Sequence, residues 1–243
     1  MSDRLPILVV QHQADAPLGL FTEWLTVEGV GLDARRPDLD EPVPDGIDDH
    51  GGLIVLGGSM GAHDDAEHPW LTLTKTLLRR AAQDGTPTLG ICLGHQLAAV
   101  ALGGTSRPSP RGQNAGVRAI GWCADVSADP LCAEVATDPD ALVAHWNADV
   151  VTDVPDGVRV LATTADGAPQ VIRVGERAWG VQFHPEVDHA VLGDWAQEYR
   201  DEAAERGADL DAALQEVKEN EDRMRLTGRR LADSFAEVVL GRR

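Results

Sequence analysis

A cysteine lies at a turn where its thiol could act as a nucleophile. Residues 90–94 read GICLG, the pattern G-x-C-x-G, and end an apolar run that is typical of a buried strand. In this pattern the nucleophile stands on a sharp strand-to-helix turn, and glycines flank it because a Cβ would crowd the backbone. The positive end of the following helix favours negative charge at this position. Cys92 is therefore a candidate nucleophile, whereas Cys123 and Cys132 lie in no comparable context.

A histidine and a glutamate could complete the chemistry of this thiol. His184 and Glu186 flank Pro185, directly after a strand candidate at 177–183. A cysteine nucleophile needs a base and a carboxylate that orients the base, and these two residues supply both groups. Because the carboxyl ends of parallel strands meet at one edge of a sheet, the pair can lie beside Cys92. The fixed φ of the proline can hold the carboxylate against the imidazole, which leaves the other ring nitrogen for the thiol.

A glycine-rich turn at residues 56–61 (LGGSMG) lies at the end of another buried strand candidate. An enzyme that forms a thioester must stabilise an oxyanion, usually with two backbone N–H groups. The residue after the nucleophile, Leu93, normally provides one of them, and Gly58 is the candidate for the other. The chain has no G-x-x-x-x-G-K-[ST] loop, and no G-x-G-x-x-G follows its first strand, so the turn is not predicted to bind phosphate.

The elements that must position these residues alternate between strand and helix. Buried strands are predicted at 5–10, 52–58 and 87–91, and helices at 18–29, 70–83 and 92–102. This alternation predicts an α/β fold with a doubly wound, mostly parallel sheet.

The second half is predicted to contain more strands and to end in helices. Strand candidates lie at 116–122, 158–164, 169–174 and 177–183, helices at 190–206 and 209–239, and surface loops at 40–51 and 105–116. We expect one domain over residues 1–243, with a core at about 5–195 and a helical C-terminal extension at about 196–243.

Three segments, taken together and in this order, resemble class I (triad-type) glutamine amidotransferases. They are GGSMG at 57–61, GICLGHQLA at 90–98 and VQFHPE at 181–186. The resemblance covers about residues 5–195 and is greatest to the amidotransferase domain of GMP synthetase. It implies a flavodoxin-like fold and an attack on the γ-amide of glutamine that releases ammonia and leaves a γ-glutamyl thioester, which water hydrolyses to glutamate. It also implies these roles: nucleophile Cys92, base His184, orienting carboxylate Glu186, oxyanion donors Gly58 and Leu93, and glutamine-pocket residue Gln96.

Two features depart from that family. Asn147 and Ala148 replace a histidine and a glycine that many relatives carry at the glutamine site, so Asn147 is a candidate substrate contact that bears on affinity for free glutamine. The chain also lacks the length and the glycine loop of the ATP-pyrophosphatase domain that follows in GMP synthetase. We therefore expect that either a separate polypeptide, such as a synthetase subunit, receives the ammonia or nothing does.

The sequence is compatible with three functions. The first is a glutamine amidotransferase that supplies ammonia to an unidentified acceptor enzyme. The second is a γ-glutamyl peptidase or hydrolase that uses the same Cys-His-Glu chemistry, which Asn147 keeps open. The third is a binding or regulatory protein without catalysis, and an intact set of three reactive residues argues against it.

Composition limits the partners. The net charge of −19 and the pI of about 4.6 disfavour binding to nucleic acid or to an anionic membrane surface. Three cysteines and no export signal predict a reducing, cytoplasmic location. The histidines match no zinc-binding spacing, and we expect neither a metal nor a cofactor.

Overall fold

A seven-stranded sheet crosses the centre of the protein in the computed structural model, which describes residues 5–242. The strands are β1 (Ile7–Val10), β2 (Leu32–Arg35), β3 (Gly52–Val55), β4 (Thr88–Ile91), β5 (Thr105–Pro108), β6 (Asn114–Ala119), β7 (Leu142–Asn147), β8 (Asp149–Asp153), β9 (Arg159–Thr163), β10 (Pro169–Gly175) and β11 (Ala178–Val181). The α-helices are α1 (Leu20–Val27), α2 (Trp70–Asp84), α3 (Leu93–Ala101), α4 (His189–Glu198), α5 (Arg200–Glu205) and α6 (Leu210–Val239).

The sheet has the strand order β2-β1-β3-β4-β11-β10-β9. The first five strands are parallel, and β10 and β9 are antiparallel to their neighbours. The parallel part follows the flavodoxin-like order 2-1-3-4-5. The predicted doubly wound, mostly parallel sheet is therefore confirmed.

Helices cover both faces of this sheet because its central strands are apolar on both sides. In β1, Ile7 and Val9 face one hydrophobic cluster, while Leu8 and Val10 face another, as the two-residue period of a strand requires. The first cluster includes buried side chains of α1 and α6, and the second includes those of α2 and α3.

The last helix, α6, packs against the same face of the sheet as α1. Its Leu231 and Phe235 belong to the same hydrophobic cluster as Phe21 and Trp24 of α1. A Cβ on Gly228 would lie 2.2 Å from the carbonyl oxygen of Pro185, so the backbone of α6 presses against the loop that follows β11. The helix thus supports the segment that contains His184 and Glu186.

Several elements differ from the sequence-based prediction. The surface loop predicted at 105–116 is wrong for two stretches: β5 pairs with β8, and the beginning of β6 pairs with β7. The strands β2, β7 and β8 have no counterpart in the prediction. These short strands lie at sheet edges or in two-stranded ribbons, and their partners are distant in sequence, so no local alternation marks them. The predicted helix at 190–206 is divided at Tyr199 into α4 and α5.

Within residues 5–242, no helix combines the length and the apolar character that crossing a lipid bilayer requires.

Candidate active site

Cys92 stands on the turn that joins β4 to α3. Its φ is 51° and its ψ is −102°, a conformation that non-glycine residues rarely adopt. The two glycines of the motif make this turn fit: a Cβ on Gly94 would lie 2.1 Å from the Val55 carbonyl oxygen, and one on Gly90 would lie 2.5 Å from the backbone of Gly94. The expected strand-to-helix turn is therefore present, with a backbone conformation that only tight packing maintains.

The Cys92 side chain is nearly buried, with 6% of the residue exposed. Its backbone N–H donates to the Val181 carbonyl at 2.8 Å, which ties the turn to β11. Two polar groups lie near the Sγ atom: Gln182 Nε2 at 3.7 Å and the Trp146 carbonyl oxygen at 3.8 Å. The sulfur thus accepts from the Gln182 amide and donates to the Trp146 carbonyl, which fixes the position of the Cys92 side chain.

His184 and Glu186 form a buried pair beside this cysteine. His184 Nδ1 lies 2.7 Å from Glu186 Oε1, and His184 Nε2 lies 3.3 Å from the Trp146 carbonyl oxygen. Both ring nitrogens thus face acceptors, an arrangement that suits an imidazolium with two N–H donors.

The charge state of His184 follows from opposing effects. Burial alone lowers the pKa of His184, but the charges of Glu186 and Cys92, and hydrogen bonds to both side chains, raise that pKa well above its usual value. His184 is hydrogen-bonded to Glu186, and the Nε2 atom of His184 and the Sγ atom of Cys92 both lie near the Trp146 carbonyl oxygen.

Packing fixes the orientation of this pair from several sides. The backbone N–H of His184 donates to the Ala144 carbonyl at 2.8 Å. The indole of Trp195 packs edge-on against the imidazole, with ring centroids 4.9 Å apart. The backbone of Glu186 accepts from the Leu20 N–H at 2.8 Å, at the first turn of α1. The strand end, α1 and α4 therefore all hold the two side chains.

The glycine-rich turn lies against the cysteine and the histidine. A Cβ on Gly57 would lie 3.1 Å from His184 Cε1 and 3.6 Å from Cys92 Cβ. A Cβ on Gly58 would lie 3.1 Å from Leu93 Cδ2, so Gly58 lies against the Leu93 side chain. Leu93 is the first residue of α3, where an amide has no acceptor within the helix. Among residues 5–242, no group accepts a hydrogen bond from the Gly58 N–H.

A cavity of about 430 Å³ opens in front of these groups. Its lining includes Cys92, His184 and Gly58, together with Glu202 of α5 and the adjoining Arg206. The predicted pocket residues Gln96 and Asn147 also line it. Both of their side-chain amides donate to the Asp149 carbonyl, Gln96 Nε2 at 3.1 Å and Asn147 Nδ2 at 3.0 Å.

Four cavity or site residues escape prediction from the sequence. Gln182 donates to the Cys92 sulfur and accepts from Gln96, Trp195 packs on His184, and Gln13 and Tyr199 line the cavity. A signal for Gln182 does exist, because strand residues two apart point to the same side and His184 is the second residue after it. Trp195, Tyr199 and Gln13 lie outside the motifs, and no local pattern marks them.

The class-I glutamine amidotransferase family model matches residues 27–195. Among known proteins, a subunit of the glutamine-hydrolysing GMP synthase of Halobacterium salinarum is 34% identical over 165 residues, which cover 67% of this chain and 81% of that protein. The corresponding subunit of Haloarcula marismortui is 33% identical over 184 residues, covering 72% of this chain and 85% of that protein.

A longer relative and two solved structures extend this comparison. The GMP synthase of Clostridium novyi is 36% identical over 146 residues, and the match covers 58% of this chain but only 25% of that protein. A glutamine amidotransferase from Thermotoga maritima superposes with a TM-score of 0.82 at 23% identity and covers 96% of this chain and 99% of its own. One from Methylobacillus flagellatus gives a TM-score of 0.85 at 23% identity, with 97% and 95% covered. These two likenesses establish the fold.

Proposed function

This chain belongs to the class I glutamine amidotransferase family, and we propose that it hydrolyses the γ-amide of glutamine through a thioester on Cys92. The observation that supports this proposal most is that Cys92 and His184 line one cavity while Glu186 is hydrogen-bonded to the far ring nitrogen of His184. Nucleophile, proton carrier and orienting carboxylate are the three parts that covalent acyl transfer needs.

The first step forms the thioester. The Cys92 sulfur adds to the γ-carbonyl carbon, and the carbonyl oxygen becomes an oxyanion that accepts hydrogen bonds from the Gly58 and Leu93 N–H groups. His184 then donates its Nε2 proton to the amide nitrogen. The C–N bond breaks, ammonia leaves, and the γ-glutamyl group stays on the sulfur.

The second step restores the enzyme. Water loses a proton to the now neutral His184 and adds to the thioester carbon, and the C–S bond breaks to release glutamate. Glu186 holds Nδ1 of His184 throughout, which keeps Nε2 directed towards the reacting atoms and stabilises the imidazolium.

Gln96 and Asn147 contact the substrate in this proposal. Their amide nitrogens donate to the Asp149 carbonyl, and Asn147 Oδ1 accepts from Asn114 Nδ2 at 3.4 Å, so these hydrogen bonds fix both side chains in the cavity wall. Because the Halobacterium and Haloarcula relatives are each one subunit of a GMP synthase, we propose that the ammonia passes to a separate synthetase subunit.

A second candidate is hydrolysis of a larger γ-glutamyl amide or peptide by the same chemistry. The cavity favours it because its lining continues from Cys92 to α5, beyond the groups needed to contact glutamine alone. Asn147, in place of the histidine of many relatives, lies along this cavity.

The test is glutamate release from glutamine and from γ-glutamyl peptides by the purified protein, with Cys92→Ala and Cys132→Ala compared. Both cysteines are buried, but only Cys92 lies in the cavity, so Cys132→Ala is the matched control. We expect Cys92→Ala to abolish hydrolysis and active-site alkylation, and Cys132→Ala to retain both. Hydrolysis that survives in Cys92→Ala would overturn the proposal.

A further inference from the structure

The glycine-rich turn needs a support that glycine itself cannot provide. Oxyanion donors stabilise a transition state only when they are already oriented, and glycine backbone is the most mobile of all residues. Among residues 5–242, every side-chain hydrogen bond to residues 57–60 is made by Gln13. Gln13 lies in the loop after β1, far from the three motifs in sequence, and lines the same cavity as Cys92.

Gln13 holds the turn through one oxygen atom. Its Oε1 accepts from the Ser59 backbone N–H at 2.7 Å and from the Ser59 hydroxyl at 2.9 Å. Ser59 directly follows Gly58, so fixing the Ser59 amide restricts the ψ angle of Gly58 and the peptide plane next to it. The bond also occupies the Ser59 N–H, whereas the Gly58 N–H has no acceptor among residues 5–242.

The amide nitrogen of Gln13 is anchored on the opposite side. Nε2 donates to Asp15 Oδ1 at 2.7 Å and lies 3.3 Å from the Tyr199 hydroxyl. Asp15 in turn accepts from the Tyr199 hydroxyl at 2.7 Å and, through its backbone carbonyl, from Trp195 Nε1 at 2.6 Å. Burial, and then the hydrogen bond to Asp15, raise the pKa of Tyr199, so the phenol stays protonated and donates.

This anchor reaches the catalytic histidine of the proposed mechanism. The Trp195 ring that donates to Asp15 packs against His184. A continuous path of contacts therefore runs from Ser59 through Gln13 and Asp15 to Trp195 and His184. Such a path keeps the turn and the imidazole at a fixed separation, which a tetrahedral intermediate held between them requires.

We propose that Gln13 is a positioning residue that orients the Gly58 N–H for oxyanion stabilisation, acting through its hydrogen bonds to Ser59. This inference depends on the proposed thioester mechanism. Glutamine suits the task because one side chain supplies both an acceptor for Ser59 and a donor for Asp15. A glutamate would keep the acceptor but would lose the donor and repel Asp15.

The experiment compares Gln13→Ala with Gln11→Ala. Gln11 is the matched control because its side chain donates to the Gln13 and Ala14 carbonyls, so it supports the same loop without touching the turn. We expect Gln13→Ala to lower kcat for glutamine hydrolysis on the order of 10- to 100-fold with KM nearly unchanged, because removing an oxyanion donor outright costs about 10²–10³. Gln11→Ala should change kcat much less.

Alkylation of Cys92 by iodoacetamide provides a second readout, since this displacement forms no oxyanion. We expect its rate in Gln13→Ala to stay near that of the wild type while hydrolysis falls. Gln13→Glu keeps the acceptor for Ser59 and should give a kcat between those of the wild type and Gln13→Ala. Thermal unfolding of each variant identifies any loss of fold. If Gln13→Ala is unfolded, the kcat of Gln13→Glu is compared with that of the wild type instead.

Two results would overturn the proposal: equal losses of kcat in Gln13→Ala and Gln11→Ala, or a loss of alkylation that parallels the loss of hydrolysis. A failure of the underlying mechanism has a different signature. In that case the wild type itself releases no ammonia, or Cys92→Ala remains active, whatever residue stands at position 13.

Discussion

The two sides of the cavity are built in different ways. The reaction side, made of Cys92, His184, Glu186 and the glycine turn, lies on the ends of parallel strands and is mostly buried. The recognition wall, made of the β5–β8 and β6–β7 ribbons and α5, consists of two-stranded pairs and one short helix. Its cavity-lining residues Glu202 and Arg206 are exposed.

Under the proposed function, this difference predicts where chemistry and substrate choice are encoded. The reaction side requires backbone geometry that few sequences can adopt, so its residues form short motifs. The wall requires only a surface of suitable shape, and many sequences can form one. We therefore expect substitutions on the reaction side to lower turnover for every substrate, and substitutions in the wall to change the preference among substrates.

The largest effect after loss of the thiol should come from His184. His184→Ala removes the proton carrier and should lower kcat by about 10²–10⁴, the usual contribution of general acid–base catalysis. Glu186→Gln should cost less, because it disturbs only the orientation and charge of the imidazole. Steady-state glutamate release from glutamine and from a γ-glutamyl peptide measures both. Near-normal turnover in His184→Ala would contradict the assignment, and a loss confined to one substrate would contradict the division into two sides.

A smaller effect is expected at Asn147. A polar contact in a site is worth about 1–3 kcal/mol, so Asn147→His should change the preference between glutamine and γ-glutamyl peptides by about 10- to 100-fold. We expect free glutamine to be a poor substrate of the isolated wild type and a better one after the substitution. The ratio of kcat/KM for the two substrates measures this. Efficient glutamine hydrolysis by the wild type, unchanged in Asn147→His, would refute this prediction.

The smallest effect on activity is expected from two buried histidines, one on each side of the cavity. They should instead affect how the folding stability depends on pH. Burial lowers the pKa of His95, below the cysteine turn, to about 4, and burial followed by the charge of Arg118 lowers the pKa of His145, behind Asn147, to about 3. Both folded values lie below the ordinary 6.5, so the unfolded chain binds more protons between these limits. Stability is therefore fully present above about pH 6.5 and falls as the pH drops towards 4.

Each histidine should contribute at most about 1.4 kcal/mol per pH unit to the pH dependence of the free energy of unfolding. Urea unfolding over this range should give a shallower slope for both His95→Gln and His145→Gln than for the wild type. If only His95→Gln flattens it, the recognition wall unfolds independently of the reaction side. An unchanged slope in both variants would mean that neither histidine is kept neutral by folding.

The sequence by itself determined the frame of the molecule. Apolar runs located the central strands β1, β3, β4 and β11, because a strand buried on both faces must be continuously hydrophobic. The glycines around Cys92 located its turn for a similar reason: the backbones of Gly90 and Gly94 approach neighbours too closely for any side chain. These are local requirements, so a short segment records them.

Only the tertiary structure decided the rest. The ribbons of the recognition wall pair segments far apart in sequence, and polar edge strands such as β5 carry no periodic signal of that pairing. The partners of the reactive groups are equally distant. Trp195 meets His184 only because α4 folds back across the strand ends, and Gln13 meets Ser59 only because β1 and β3 are neighbours in the sheet. A hydrogen bond between residues 46 positions apart depends on how the whole chain packs, and neither residue's local sequence specifies it.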